Sequence, residues 1–574
     1  MDRFFNSKTP QGSPYNVSNL NGINGSTQNR FNNQWSSDNT LTYRKNINDV
    51  HNITALALVS LQSEDYKASG YSSRFLPNEG LGIGGLHQGT IYSPINTRTN
   101  NTRASYGGRL DYGFMSRYIL SLTFRADGSS KFPEANRWGY FPGAGIAWNM
   151  QNENFLKDSR VISNSKLRAT YGEVGNDRIG DFASYAFLSY DINGASYNNS
   201  TPEGMINQSS MANKDLSWET TTSVDIGYEL GLWDNRFEFI VDVYKRTTNN
   251  LLLSAPLPLT TGYSSATKNI GKLENKGLEI TVNTLNIAKN DFSWRTSFNI
   301  SFNKNRIMAL ADGQRALNNS VQTDVNFNDV LYKSEIGRPS GMMVGYLWAG
   351  NYQYEDFDNP SPGVYVLKAD IPYYGTRDAI LPGNIKYVDI NSDGIINSDD
   401  KTYMGRGQPI HNGGFVNDLQ YKGFTFHTFF QWIYGYNIYN ANRITFEGDP
   451  NGRSNMNMYA SYANRWTPDN PTNEHFRAGG AGVIGYNSTK YLEDGSFLRL
   501  KTVMLEYSLP QNIIRHVRMQ RVAINVAAQN LFTWTKYSGL DPEVSTRNNI
   551  LTPNYDYSSY PQARTIAFGL KATF

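Results

Sequence analysis

Residues 389–400 read Asp389-Ile390-Asn391-Ser392-Asp393-Gly394-Ile395-Ile396-Asn397-Ser398-Asp399-Asp400. Oxygen-bearing side chains stand at the first, third and fifth positions, glycine at the sixth and an acid at the twelfth. That spacing fits a calcium loop, in which carboxylate, amide and carbonyl oxygens converge on a hard cation around a sharp turn. Asp389, Asn391 and Asp393 are expected to supply side-chain oxygens, Ile395 its backbone carbonyl, Asn397 a contact through water and Asp400 the closing carboxylate. Aspartate reaches less far than the glutamate usual at the last position. The preceding Ile385-Lys386-Tyr387-Val388 reads as extended rather than helical, so the expectation is a structural Ca2+ loop outside an EF-hand. The alternative is an Asx-rich turn that holds no ion.

No other constellation points to chemistry. Gly80-Leu81-Gly82-Ile83-Gly84-Gly85 matches GxGxxG, but no strand and helix flank it as a dinucleotide site requires, and it reads as a flexible loop. Cysteine is absent, which excludes a thiol nucleophile, a thiolate metal site and any disulfide framework. The histidines lack HExxH spacing and no GxSxG elbow occurs. The chain is therefore read as a non-enzyme, with no catalytic or cofactor-binding residue. Its 53 basic and 50 acidic side chains carry no excess that would attract nucleic acid.

The elements that must position the loop are strands. Across 574 residues the chain holds 38 Tyr, 29 Phe, 10 Trp and 50 Gly, a load suited to strands and turns. Apolar side chains recur at every second place. Examples are Tyr118, Leu120, Leu122 and Phe124, then Phe298, Ile300 and Phe302, then Val522, Ile524 and Val526, then Ile566, Phe568, Leu570 and Phe574. About sixteen such segments are counted, many well beyond the usual length of about 5 to 6 residues. A strand needs about 9 to 11 residues to cross a bilayer at barrel tilt. Arginine and aspartate recur on the alternate face, which a hydrated interior explains and a dry core does not. The mean hydropathy of -0.53 leaves no spanning helix, yet is compatible with spanning strands. Short turns at Met115-Ser116-Arg117 and Trp233-Asp234-Asn235-Arg236 contrast with long polar stretches near 178–213, 310–340, 354–404 and 437–492. The expected fold is thus all-β, a transmembrane antiparallel β-barrel with short turns at one end and long loops at the other.

Several segments also resemble, in order, those of the SusC-like, RagA-like TonB-linked outer-membrane transporters of Bacteroidota. They are Asn154-Phe155-Leu156-Lys157, Lys166–Asn176 (KLRATYGEVGN), Asn213–Thr221 (NKDLSWETT), Asn269–Glu279 (NIGKLENKGLE), the calcium-like loop, Gln529–Pro542 (QNLFTWTKYSGLDP) and the last strand. The resemblance implies a multi-pass barrel of the cell outer membrane, in contact with its lipid. It implies a 22-stranded barrel, a plug, a SusD-like surface lipoprotein and a TonB complex acting through the plug. Its implied substrates are oligosaccharides or peptides. Against that pattern, residues 1–36 are expected to be an amino-terminal loop or remnant, and 37–574 the barrel segment with long extracellular loops. The plug is expected to be absent, which makes the chain a truncated transporter. A passive porin-like barrel and a surface glycan-binding protein are the alternatives. Loop aromatics such as Tyr434, Tyr436, Trp466 and Tyr491 suit stacking on sugars and ordinary loop packing equally, so the substrate-binding residues stay open.

Overall fold

The computed structural model describes residues 2–6, 21–195, 203–208, 210–257, 259–263, 265–310, 313–324, 327–361, 363–448, 457–481, 487–514, 519–547 and 549–574. One antiparallel sheet dominates. Its strands, in chain order, begin with β1 (Asp2–Asn6), β2 (Asn24–Ile47), β3 (His51–Arg74), β4 (Thr90–Phe114), β5 (Tyr118–Ser129) and β6 (Trp138–Asn149). Next come β7 (Ile162–Asn176), β8 (Glu219–Leu232), β9 (Phe237–Asn249), β10 (Lys272–Lys289) and β11 (Phe292–Ala309). The last are β12 (His411–Tyr421), β13 (Phe424–Tyr434), β14 (Phe497–Ser508), β15 (Arg521–Thr535) and β16 (Thr565–Thr573). All sixteen lie side by side in that order. Each strand pairs with its chain neighbours, the topology that up-and-down connections produce. No helix among the described residues is long and apolar enough to cross a membrane.

Short connections alternate with long ones along the chain. At Met115 and Ser116 the backbone φ values are 52° and 54°, and the Arg117 amide donates to the Phe114 carbonyl at 2.9 Å. Asn48 and Asp49 repeat this with φ of 53° and 55°, and the Val50 amide donates to Ile47 at 3.1 Å. Positive φ at both central positions gives the turn whose twist matches the flanking strands.

The chain divides into two compact units, residues 1–146, 170–222 and 248–270 in the first and 147–169, 223–247 and 271–574 in the second. In the first, β2 and β3 pair without a break from Gly25↔Ser73 to Ile47↔His51. The boundary expected at residue 36/37 falls inside β2, and Asp2–Asn6 pairs with Asn24–Gln28. Residues 24–36 read as loop because Asn, Gln, Ser and Thr dominate them and only Phe31 and Trp35 mark an apolar side; cross-strand backbone hydrogen bonds make them a strand regardless. Gly82–Gln88 forms a 3-10 segment between β3 and β4, not a strand-to-helix nucleotide turn.

In the second unit the core lies in the loops. Tyr346, Tyr352, Phe357, Tyr374, Ile385 and Ile396 form one buried cluster. Leu331, Tyr332, Met343, Tyr439, Tyr491 and Tyr555 belong to another. A single-layer wall of strands has no second layer to bury its apolar side, so Ile524, Trp534, Phe568 and Leu570 are exposed within the chain itself. Residues 310–340, read as loop, contain the hairpin Ala316–Asp324 and Phe327–Glu335.

Candidate functional site

Alternation sorts side chains into an apolar and a polar face, and the polar face carries the chemistry. Arg168 on β7 donates to Asp225 Oδ1 at 3.2 Å and Glu229 Oε1 at 3.2 Å on β8, and to Asp242 Oδ1 at 2.5 Å on β9. Gly227 leaves the room for this, since a Cβ there would lie 2.6 Å from the guanidinium carbon and 2.3 Å from the Asp242 carboxylate. In the first unit Arg103 and Ser129 both donate to the buried Asp177, at 2.8 and 2.9 Å. Arg125 donates to Asp127 at 2.7 Å, and Ser121 to Asp111 at 2.6 Å. Partners on adjacent strands in register are close enough for such pairs.

The same face of the first unit holds a recess of about 500 Å³. Leu56, Leu58 and Phe141 give it apolar wall, and Arg109, Arg125 and Glu173 give it charge. Gly175 is needed here because a Cβ would meet the Phe141 ring at 2.1 Å. Alternation placed these residues on one face; their convergence across strands carried no local signal.

The four loop aromatics do not form a sugar platform. Tyr436 is 5% exposed and donates its hydroxyl to the Pro542 carbonyl at 2.7 Å. Trp466 is buried and donates Nε1 to Gln353 Oε1 at 3.1 Å, and Tyr491 is fully buried. Tyr434 is exposed on the apolar face, stacked on His411 with ring centres 5.0 Å apart. Beside Tyr491, Lys490 is buried, donates to the Glu474 carbonyl at 2.6 Å, and burial brings its pKa down to about 8.

At the calcium-like loop, Asp389 accepts the Ser392 amide on Oδ1 at 2.7 Å and the Gly394 amide on Oδ2 at 2.8 Å. Asn391 Oδ1 accepts the Asp393 amide at 3.1 Å, and Asp393 Oδ1 the Ile395 amide at 2.8 Å. Gly394 sits at φ 85°, the left-handed turn that glycine permits. Ile396 is buried and pins the loop into its core, while the Ile395 side chain is exposed. Asp400 is fully buried and accepts the amides of Ile390 and Asn397 at 2.8 and 2.9 Å. Asn397 accepts the Asp399 amide at 2.8 Å. Among the described residues no group of three or more His, Cys, Asp and Glu converges for a metal.

Comparison with known proteins identifies the architecture. The model of the family "TonB dependent receptor-like, beta-barrel" matches residues 2–392. TonB-dependent receptor P3 of Formosa agariphila is 35% identical over 94% of this chain and 52% of its own length. TonB-dependent receptor SusC of Bacteroides thetaiotaomicron is 30% identical over 94% of this chain and 51% of its own. The chain thus spans about half the length of the curated relatives it matches. Among solved structures, the RagAB peptide transporter superposes with a TM-score of 0.78 at 25% identity, covering 96% of this chain and 57% of that one. This is a family of outer-membrane transporters, not of enzymes. With its alternating faces, its strand order and its match over residues 2–392, the chain belongs to the TonB-dependent receptor family, as an outer-membrane β-barrel.

Proposed function

We propose that this chain works in TonB-dependent uptake of a large nutrient across the outer membrane, with peptides as the preferred substrate class and a SusD-like surface lipoprotein as partner. The observation that carries this reading is the recess on the polar face. Its two guanidiniums, Asp127 and Glu173 beside Leu56, Leu58 and Phe141 suit a chain of mixed charge and apolarity. A neutral oligosaccharide calls instead for an exposed aromatic platform; of the two lining aromatics, Phe141 is only 7% exposed and Phe124 belongs to the apolar alternation of β5. In the producing organism, loss of the gene should abolish import of labelled peptide pools, and dissipating the proton motive force should do the same in the parent. Import of peptides unchanged by both treatments rejects the reading. Gene-dependent import that ignores the proton motive force favours a passive pore, and gene-dependent oligosaccharide import favours the glycan class.

We infer further that the 389–400 loop takes Ca2+ as a structural ion. The spacing and the turn at Gly394 support this, with Asp389, Asn391, Asp393 and the Ile395 carbonyl nearest one another in sequence. A carboxylate oxygen that accepts one amide keeps a second lone pair for a cation, so Asp389 and Asp393 retain capacity. Asp400 anchors the loop and closes the donor set. Extracellular sites of this kind bind at about 10⁻⁴ to 10⁻³ M. Asp393→Ala should weaken calcium binding at least about tenfold by calorimetry, and Ser398→Ala should leave it unchanged; identical isotherms for parent and both variants refute the ion.

A further inference from the structure

The apolar face of β10 to β13 ends in a ring of aromatics at the long-loop end of the strands. His411 lies 5.4 Å from Phe302 and 5.0 Å from Tyr434, and Trp432 at the lower edge stacks on the deeper Phe298 at 5.5 Å. The Trp432 indole donates to His411 Nδ1 at 3.2 Å. Such girdles mark the level of the membrane interface, and long loops lie on the outer side. Two residues beyond the Leu278↔Phe302 pair, on the same face, Lys276 stands directly opposite Lys304. Like charges directly opposite in a sheet repel. Glu274 accepts Lys276 at 2.9 Å and Lys245 at 3.1 Å. Lys304 has no ion pair among the described residues. The two lysines open onto a recess of about 570 Å³ that Arg406 also lines, with Phe302, Met342 and Ile410 as its apolar part. Three cations and no carboxylate line it.

We propose that this recess binds the phosphate of an anionic, phosphorylated lipid of the outer leaflet. An anion between Lys276 and Lys304 converts their mutual repulsion into two attractions. The acyl chains then run down the half-buried strip of Leu278, Phe302 and Ile300 without leaving hydrocarbon. The site holds a headgroup because its charge lies just past the aromatic ring, where lipid phosphates lie and substrate does not.

The test is native mass spectrometry of the full chain, extracted in detergent and titrated with bisphosphorylated lipid A or with its dephosphorylated form. The parent should retain the phosphorylated lipid selectively. Lys276→Gln with Lys304→Gln should weaken retention about 30-fold, from about 1 kcal/mol per cation at a lipid surface. Lys276→Arg with Lys304→Arg should preserve it, as should Lys289→Gln with Lys422→Gln at the opposite strand ends. Millimolar inorganic phosphate should not displace the lipid. Equal retention of the two lipids by the parent overturns the proposal whether or not any variant inserts. Displacement by inorganic phosphate overturns it in favour of a free-anion site.

Discussion

Arginine in place of Phe298 should block assembly of the chain in the membrane, whereas arginine in place of the adjacent Asn299 should be nearly silent. Phe298 lies midway along the β11–β12 pairing that runs from Phe292↔Tyr421 to Phe302↔His411, opposite Phe415 and against Trp432. A cation on the lipid side of a barrel strand costs about 2–4 kcal/mol at the midplane. Loss of the stacked ring adds to that, at about 0.5–1.5 kcal/mol for an aromatic pair. Asn299 points to the other face, among Ser297, Ser301 and Asn303, where water solvates a guanidinium at little cost. Heat-modifiable migration of membrane fractions on gels measures the folded share. Equal losses from both substitutions show that the two faces have been assigned wrongly.

Replacing Arg499 by methionine should release the segment 536–563 from the strands while leaving the sheet intact. Arg499 is 2% exposed, and four partners hold it: Asp541 at 2.6 Å, Glu543 at 2.5 Å, Thr533 at 3.0 Å and Gln562 at 3.3 Å. Removing the guanidinium leaves two carboxylates facing each other in a buried site, a loss of about 3–5 kcal/mol when one partner of a buried pair is deleted. Lys501, 3.8 Å from Glu543, compensates only in part. Limited proteolysis should then cut within 536–563, and the unfolding temperature should fall. Adding Asp541→Asn and Glu543→Gln should recover much of the loss, because the isolated charges go with it. Resistance to protease equal to that of the parent contradicts the role given to Arg499.

Both effects depend on geometry that local sequence carries unequally. Period-two patterning placed Phe298 and Asn299 on opposite faces, because a strand alternates its side chains whatever its neighbours are. The same rule located β5 and β16 close to their observed ends and found the starts of β11 and β15 while missing their last six residues, and the 389–400 spacing is a local property of one turn. What remained illegible was pairing over distance. β2 carries Phe31, Trp35, Leu41 and Tyr43 on one face, but Asn, Gln, Ser and Thr crowd its first half, and its extent back to residue 25 comes from the hydrogen bonds that β3 supplies. Tyr436 suited a sugar and loop packing equally until its hydroxyl found a carbonyl 106 residues away, and Arg499 found its carboxylates more than 40 residues on. The sequence by itself determined the class of fold, the facing of the strands with clear alternation and the family. Only the tertiary structure decided which polar groups converge, since closure of long loops brings together residues that no short-range spacing relates.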